Sequence, residues 1–260
     1  IFDSGLGGLT AAAALRELMP GENIIYFADS ARVPYGAKSR DELLIIARQD
    51  LELLSSFSVK FIIAACGTVS SNASRVLESF SVPTIGVLKP GIREMSLIPG
   101  DSPLGIIATQ ASIRAGAFRR ELERLCPGRR IVDLPCPDFV PLIESGHTGA
   151  DDPELREAVE HSLAPAKEAG VSALLLGCTH YGIIAPAIRD FLGDGVELVN
   201  ASKSAAQAAC ERIARLGLTG GEGGETLYYT SGDAGEFSAA ASGLLGLEVR
   251  ARHLPAMEIN

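Results

Sequence analysis

Short apolar runs about as long as a strand alternate along the chain with longer segments whose apolar residues recur every three or four positions. One such segment, residues 42–57, carries on a single face Leu43, Leu44, Ala47, Leu51 and Leu54. Continuous apolar runs are typical of strands buried in a parallel sheet, and the amphipathic segments between them are typical of helices. The pattern therefore predicts a parallel α/β fold.

The strand–helix alternation occurs twice, and the strand and turn at residues 105–112 resemble those at residues 1–5. We therefore predict two similar doubly wound parallel-sheet domains, with the active site in the cleft between them. The first domain is predicted to comprise residues 1–90 together with 204–260, and the second to comprise residues 91–203.

Other local patterns predict individual elements of these domains. Helices are predicted over residues 70–80 and 113–125, and strands over residues 84–88 and 247–251. Residues 136–149 are predicted to form a loop that nearby prolines stiffen.

Two of the apolar runs end in a cysteine. Residues 61–65 lead into Cys66, and residues 174–176 lead through Gly177 into Cys178. Ligands in parallel α/β folds bind at the carboxyl ends of strands, so both thiols are placed where chemistry takes place. Either thiol alone could be an ordinary core residue, because cysteine is often buried. Their equivalent placement in two similar halves favours a shared chemical role.

Two thiols on opposite walls of a cleft permit one to remove a proton from a carbon while the other returns a proton to the opposite face. Cys66 stands just before a predicted helix whose cap is Thr68 or Ser70, and the N-terminus of a helix lowers the pKa of a nearby thiol. Asp3, at another strand end, could orient Cys66 or simply cap the following helix. His180 could tune Cys178, with Glu144 either as its partner or as an ordinary solvated carboxylate.

Charge and hydropathy narrow the class of protein. The chain of 260 residues has a net charge of −9, with 23 Lys and Arg against 32 Asp and Glu, which argues against a nucleic-acid groove. No apolar run approaches the ~20 residues of a membrane helix, and no signal peptide is recognisable. We expect a cytoplasmic protein without nucleic-acid or membrane partners. Ile1 falls inside a predicted strand, so a few residues are expected to precede it.

Motifs for bound metals and cofactors are missing from the sequence. The five cysteines form no CxxC pair, which argues against a zinc ribbon or a thioredoxin motif. The glycine run at residues 5–8 lacks the spacing of a dinucleotide fingerprint, and no Walker A motif occurs. No lysine stands in an obvious Schiff-base context. We therefore expect neither a metal nor a cofactor.

Six motifs follow one another along nearly the whole chain: Phe2-Asp3-Ser4-Gly5 with Gly7-Gly8-Leu9-Thr10, Ala31-Arg32-Val33-Pro34-Tyr35-Gly36, Ala65-Cys66 with Thr68, Cys136-Pro137 with Phe139-Val140-Pro141-Leu142, Gly177-Cys178-Thr179-His180-Tyr181, and Tyr229-Thr230-Ser231-Gly232-Asp233. In this order they resemble the glutamate racemases of the aspartate/glutamate racemase superfamily. The resemblance implies a cofactor-independent enzyme that interconverts L- and D-glutamate and supplies D-glutamate for peptidoglycan. Because the family often forms dimers, a homodimer is a further expectation.

The resemblance also implies roles for individual residues. Cys66 and Cys178 would be the two acid/base residues. Asp3 would assist the first thiol, and His180 together with Glu144 would assist the second. The amino and carboxylate groups of the substrate would meet Asp3, Ser4, Tyr35, Gly36, Thr68, Thr179 and His180.

Two positions depart from the family pattern. Gly67 stands where the family usually has Asn, and Lys89 stands where it commonly has Glu. The backbone N–H of Gly67, at the start of a predicted helix beside Cys66, could instead face a substrate carboxylate. The departures leave an aspartate racemase and a non-catalytic amino-acid-binding protein as alternatives. A thiol oxidoreductase that forms a disulfide between Cys66 and Cys178 is a third.

Overall fold

The strands of the protein are short and lie in two sheets. The computed structural model describes residues 1–220 and 223–257. Its strands are β1 (Phe2–Asp3), β2 (Ile24–Ala28), β3 (Ile62–Ala64), β4 (Thr84–Gly86), β5 (Leu104–Ala108), β6 (Ile131–Pro135), β7 (Ala173–Leu176), β8 (Glu197–Asn200), β9 (Thr226–Thr230) and β10 (Ala251–His253).

Both sheets are parallel, and they share one strand order. The first sheet runs β10-β9-β2-β1-β3-β4, and the second runs β6-β5-β7-β8. The order β4-β3-β1-β2 in the first sheet therefore corresponds to β8-β7-β5-β6 in the second, and β9 and β10 extend the first sheet beyond β2. The predicted α/β fold with two parallel sheets is confirmed, and the common strand order agrees with an internal duplication.

Helices connect most of the successive strands. They are α1 (Leu9–Leu18), α2 (Arg40–Ser55), α3 (Gly67–Asn72), α4 (Ser74–Ser79), α5 (Leu88–Met95), α6 (Gln110–Ala115), α7 (Ala117–Leu125), α8 (Phe139–Glu144), α9 (Pro153–Glu168), α10 (Ala185–Leu192), α11 (Ala201–Arg215) and α12 (Ala234–Leu245). Short 3₁₀ turns occupy Ser30–Arg32, Tyr35–Ala37 and Thr179–Gly182.

Helix α2 begins at Arg40, two residues before its predicted start, because Ser39 caps it. The Ser39 hydroxyl accepts a hydrogen bond from the Glu42 N–H, and the Glu42 carboxylate accepts one from the Ser39 N–H at 2.8 Å, which forms a capping box. The buried face of the helix carries Leu43, Ile46, Ala47, Asp50, Leu51 and Leu54. Asp50 is the one charged residue on this face, and it faces the segment that carries Tyr35.

Gly116 divides the helix that was predicted over residues 113–125. Helix α6 ends at Ala115 and α7 begins at Ala117, because Gly116 adopts a left-handed conformation with φ of 63°. Helix α6 also begins earlier than predicted. The Thr109 hydroxyl caps it by accepting a hydrogen bond from the Ser112 N–H at 3.3 Å.

Three further predictions of local structure were wrong in part. The helix predicted over residues 70–80 is divided at Ala73, between α3 and α4. The strand predicted over residues 84–88 ends at Gly86, because Leu88 already begins α5. The loop predicted over residues 136–149 contains α8, since Pro141 lies in the first turn of this helix, where a proline costs no intrahelical hydrogen bond.

The last strand begins later than predicted, because serine side chains of α12 engage the backbone before it. The Ser242 hydroxyl accepts a hydrogen bond from the Val249 N–H at 2.8 Å, and the Ser238 hydroxyl accepts one from the Ala251 N–H at 2.9 Å. Parallel pairing with β9 therefore starts only at Ala251, instead of covering the predicted residues 247–251.

One apolar core passes through both halves of the molecule. It includes Ile63 of β3 and Leu175 of β7, and helices α5 and α11 pack against each other within it. The predicted domain limits, at residues 90/91 and 203/204, fall inside these two helices and stay a prediction. Residues 221–222 and 258–260 of the first predicted domain lie outside the described residues.

Across the described ranges, every helix is too short or too polar to cross a lipid bilayer.

Candidate active site

The carboxyl ends of strands from both sheets meet at one cavity. It has a volume of about 320 Å³. Residues that closely follow five different strands line it: Ser4, Cys66, Thr109, Cys136 and Cys178. Four other cavities are larger, at about 560, 630, 440 and 390 Å³, but none of these four is lined by a cysteine or a histidine. We therefore place the candidate active site in the smaller cavity, where the predicted thiols meet.

Cys66 lies between β3 and α3 and is nearly excluded from solvent, with 3% of its surface exposed. Burial raises the pKa of the Cys66 thiol well above its usual range, and the carboxylate of Asp3 raises it further. The backbone N–H groups of Thr68 and Val69 oppose this shift. The prediction that the start of the helix would lower the pKa of Cys66 is wrong, because burial outweighs the two N–H groups.

Cys178 follows β7, and the imidazole of His180 stands two residues further along the chain. The Nδ1 atom of His180 lies 3.8 Å from the Cys178 sulfur. The Nε2 atom of the same ring lies 2.6 Å from a carboxylate oxygen of Glu144, at the end of α8. The three side chains therefore form a chain of thiol, imidazole and carboxylate.

Charged neighbours set the protonation of this chain. Burial alone would lower the pKa of His180, but its hydrogen bonds to Cys178 and Glu144 raise that pKa well above its usual range. Burial alone would raise the pKa of Glu144, yet the hydrogen bond from His180 lowers the pKa of this carboxyl. The geometry therefore favours a protonated His180 between an ionised Glu144 and the Cys178 sulfur.

Asp3 is fully buried behind the cavity wall. Its Oδ2 atom accepts hydrogen bonds from the N–H groups of Gly8 at 2.7 Å and Gly5 at 3.4 Å, which holds the turn into α1. Its Oδ1 atom accepts a hydrogen bond from the Thr179 hydroxyl of the other half at 3.4 Å. Burial raises the pKa of Asp3, against His180 and the backbone donors. Asp3 thus caps the turn and stands close enough to influence Cys66.

Most of the residues predicted to meet a substrate lie in the cavity wall: Ser4, Tyr35, Gly36, Thr68, Thr179 and His180. Asp3 and Glu144 lie behind this wall, in contact with residues that belong to it. Gly67 also lies outside the lining, in contact with the opposite half. The roles of these residues toward a substrate stay predictions.

The Tyr35 hydroxyl is engaged in a buried polar network. It donates a hydrogen bond to Asp29 and lies 3.2 Å from a carboxylate oxygen of Asp50. Arg32 donates to both carboxylates, at 2.5 Å to Asp29 and 2.8 Å to Asp50. Burial and the neighbouring Asp29 raise the pKa of Asp50 well above its usual range, against the effect of Arg32. The network fixes the segment that forms one wall of the cavity.

Several lining residues were missed by the sequence analysis. Thr109 follows β5 as Ser4 follows β1, so the repeat noted between residues 105–112 and 1–5 was a signal that could have found it. Arg114, on α6, brings a cationic side chain to the cavity. Cys136 also lines the cavity, but burial raises the pKa of its thiol to about 12.

Comparisons with known proteins identify relatives over nearly the whole chain. The Asp/Glu/Hydantoin racemase family model matches residues 9–209. This chain belongs to that family. The glutamate racemase of Desulforudis audaxviator is 38% identical over 95% of this chain and 93% of its own length. The recognition of the glutamate racemases from the six sequence motifs is therefore confirmed, and so is the prediction of an isomerase.

Solved structures of the glutamate racemases have the same fold. The isoform RacE1 from Bacillus anthracis is 26% identical, with a TM-score of 0.92 over 97% of this chain and 95% of its own. The glutamate racemase from Francisella tularensis, solved in complex with D-glutamate, is 30% identical, with a TM-score of 0.89 over the same shares. The two-sheet architecture of this racemase is thus the one known for the family.

Proposed function

We propose that the protein racemises glutamate without a cofactor, with Cys66 and Cys178 as the two acid/base residues. The observation that carries the proposal is the meeting of two strand-end thiols, from equivalent positions in the two sheets, at one cavity. The relatives named glutamate racemase, and the one solved with D-glutamate, support glutamate as the substrate.

In the proposed reaction, a thiolate on one side takes the proton from the Cα of glutamate and becomes a thiol. The carbanion is planar at Cα, so the thiol on the other side can deliver its proton to the opposite face and become a thiolate. The configuration at Cα is inverted, and the two sulfurs have exchanged protonation states. They must exchange protons with solvent or with their neighbours before the same direction can run again.

The neighbours of each thiol fit this division. The raised pKa of Cys66 keeps it as the proton donor in the resting enzyme. His180 Nδ1 lies 3.8 Å from the sulfur of Cys178, within reach for proton exchange, so we assign Cys178 as the residue that first accepts the Cα proton. Asp3 and Glu144 would act through these groups, and Ser4, Tyr35, Gly36, Gly67, Thr68 and Thr179 would hold the amino acid.

Deuterium labelling tests the two-thiol reaction. L-glutamate incubated with the enzyme in deuterated water should give D-glutamate that carries deuterium at Cα, while the remaining L-glutamate carries little at low conversion. Protium retained in the early product would instead indicate one base that carries a single proton between the faces.

Circular dichroism of L-glutamate and L-aspartate, followed separately without added cofactor, tests the substrate. Turnover of aspartate alone would favour an aspartate racemase.

The biological role follows from the resemblance. We infer that the enzyme supplies D-glutamate for peptidoglycan synthesis. The cytoplasmic location and the homodimer stay predictions. Growth of a strain lacking its own glutamate racemase, with and without external D-glutamate, would test the role once the gene is introduced.

A further inference from the structure

The two halves touch directly beside the two thiols. Gly67 follows Cys66 on the chain, and Gly177 precedes Cys178. A Cβ atom added to Gly67 would overlap the carbonyl oxygen of Gly177 and would lie 3.0 Å from its carbonyl carbon. It would also lie 3.4 Å from the Cα atom of Cys178. Position 67 therefore accepts only glycine while the halves are arranged in this way.

Gly177 cannot easily withdraw from this contact. Its N–H donates a hydrogen bond to the Ile107 carbonyl at 2.8 Å, which fixes it to the neighbouring strand β5. A Cβ on Gly177 would itself lie 2.9 Å from the same carbonyl oxygen. On the opposite side, the Gly67 carbonyl accepts a hydrogen bond from the Ser71 hydroxyl at 2.8 Å. Both partners are held by their own halves.

Buried hydroxyl groups hold the halves together next to the glycine contact. The Thr68 and Thr109 hydroxyl oxygens lie 2.9 Å apart, and those of Ser71 and Ser112 lie 3.1 Å apart. Each pair joins α3 of the first half to α6 of the second half or to its cap. Because these groups are shielded from water, separating the halves here would leave polar groups unpaired.

We propose that Gly67 is a positioning residue: the contact between its backbone and Gly177 sets the distance between the Cys66 and Cys178 sulfurs. The proposal rests on the proposed two-thiol racemisation. Each sulfur is one residue away from the contact along the chain. A side chain at position 67 must push one of the two cysteine-bearing turns away, and the two thiols can then no longer both reach one carbon.

Kinetics provide the first test. Gly67→Ala should lower kcat about 100-fold in both directions, because misplacement of reacting groups by about 1 Å can cost that much. KM should change less than kcat, because Gly67 lies outside the cavity lining and would meet the substrate only through its backbone N–H, which alanine keeps. Gly67→Asn, which introduces the residue usual in the family, should lose at least as much. Gly243→Ala in α12, where an added Cβ meets nothing within 4 Å, is the matched control and should keep the wild-type kcat.

Cross-linking measures the spacing without any turnover. Dibromobimane becomes fluorescent when it joins two thiols, so the wild-type enzyme should give a signal that Cys66→Ser removes. Gly67→Ala should lose most of this signal. Cys66 and Cys178 of this variant should still react with monobromobimane, which needs only one thiol. A merely destabilised variant would lose folded protein in a thermal melt, but its folded fraction would cross-link normally.

The outcomes separate the spacing from the reaction. Wild-type kcat or wild-type cross-linking in Gly67→Ala would overturn the positioning role, and so would a wild-type enzyme that does not cross-link although both thiols are labelled. If the wild-type enzyme cross-links, and Gly67→Ala does not, but glutamate is never racemised, then the contact sets the spacing and the proposed function is what fails.

Discussion

The two cysteine sites lie at equivalent points of the two sheets, yet different titratable side chains act on them: a carboxyl, Asp3, on Cys66, and an imidazole, His180, on Cys178. Cys66 follows β3 and Cys178 follows β7, which occupy the same place in the common strand order. Beside Cys66 stands the carboxylate of Asp3, which raises the pKa of the thiol. Beside Cys178 stands His180, whose own pKa is raised by its hydrogen bonds in spite of burial.

The comparison shows that a repeated backbone does not repeat its electrostatics. Strand order places both sulfurs at the cavity, but the side chains beside each sulfur differ. The proposed reaction needs one sulfur to accept a proton while the other donates one, and two identical sites would leave that choice open. In the proposal, the different neighbours make the choice. Four groups of substitutions can break or sharpen the difference.

The largest effect should come from removing one sulfur at a time. Cys66→Ser and Cys178→Ser should each lower net racemisation about 10³-fold, because a serine hydroxyl is a far poorer acid and base than a thiol. Each variant keeps the other base, so it should still exchange the Cα proton of one enantiomer with deuterated water, and the two variants should act on opposite enantiomers. Proton NMR of L- and D-glutamate measures this. Exchange of the same enantiomer by both variants would contradict the assignment of one thiol to each face.

The neighbours should have the next largest effect. His180→Asn should slow the proton transfer handled by Cys178 about 100-fold, and more than that handled by Cys66, because His180 lies 3.8 Å from the Cys178 sulfur. Asp3→Asn should show the opposite bias. A catalyst changes the net rates in both directions together, so net turnover cannot show this bias. Exchange of the Cα proton of each enantiomer must therefore be measured in single turnovers. Equal losses at both faces, in either variant, would remove the distinction between the sites.

Glu144, the hydrogen-bond partner of His180, should affect how activity depends on pH. Glu144→Gln removes the charge that helps to raise the pKa of His180, so this pKa should fall. A raised pKa keeps His180 protonated to higher pH, and activity that needs the protonated ring is lost as the pH rises through that pKa. The alkaline limb of kcat/KM should therefore move to lower pH.

A second histidine offers the control for this shift. Glu154→Gln removes a carboxylate 3.7 Å from His147. Neither residue lines the cavity, so this variant should leave the pH profile unchanged. An identical shift in both variants would mean that the alkaline limb of kcat/KM depends on the net charge of the protein. It would then not depend on the pair of Glu144 and His180.

The smallest effect should come from the network behind the cavity wall. Tyr35→Phe removes the hydroxyl that bonds to Asp29 and Asp50, so unfolding should cost about 1–3 kcal/mol less. Because the hydroxyl bonds to Asp29 and Asp50 and to neither thiol, activity should fall only a few-fold, and equally at both faces. Denaturant unfolding and enantiomer-specific exchange measure the two quantities. A bias toward one enantiomer would show that this network also distinguishes the sites.

The sequence by itself determined the strand–helix alternation and the position of a thiol at two strand ends. Both are local properties: apolar periodicity marks strands and helices, and a parallel strand delivers its next residues to the carboxyl edge of its sheet. Local patterns failed where one residue changed the backbone. Gly116 divided a predicted helix, and Pro141 fitted the first turn of a helix in a predicted loop.

Only the tertiary structure decided how the two halves meet. The contact of Gly67 with Gly177 joins residues 110 positions apart, and the pairing of Glu144 with His180 joins residues 36 positions apart. The raised pKa of Cys66, against the lower value expected for a thiol at the start of a helix, depends on the same packing. Distances and burial of this kind arise from how two sheets pack around a shared core, and no periodicity along the chain records them.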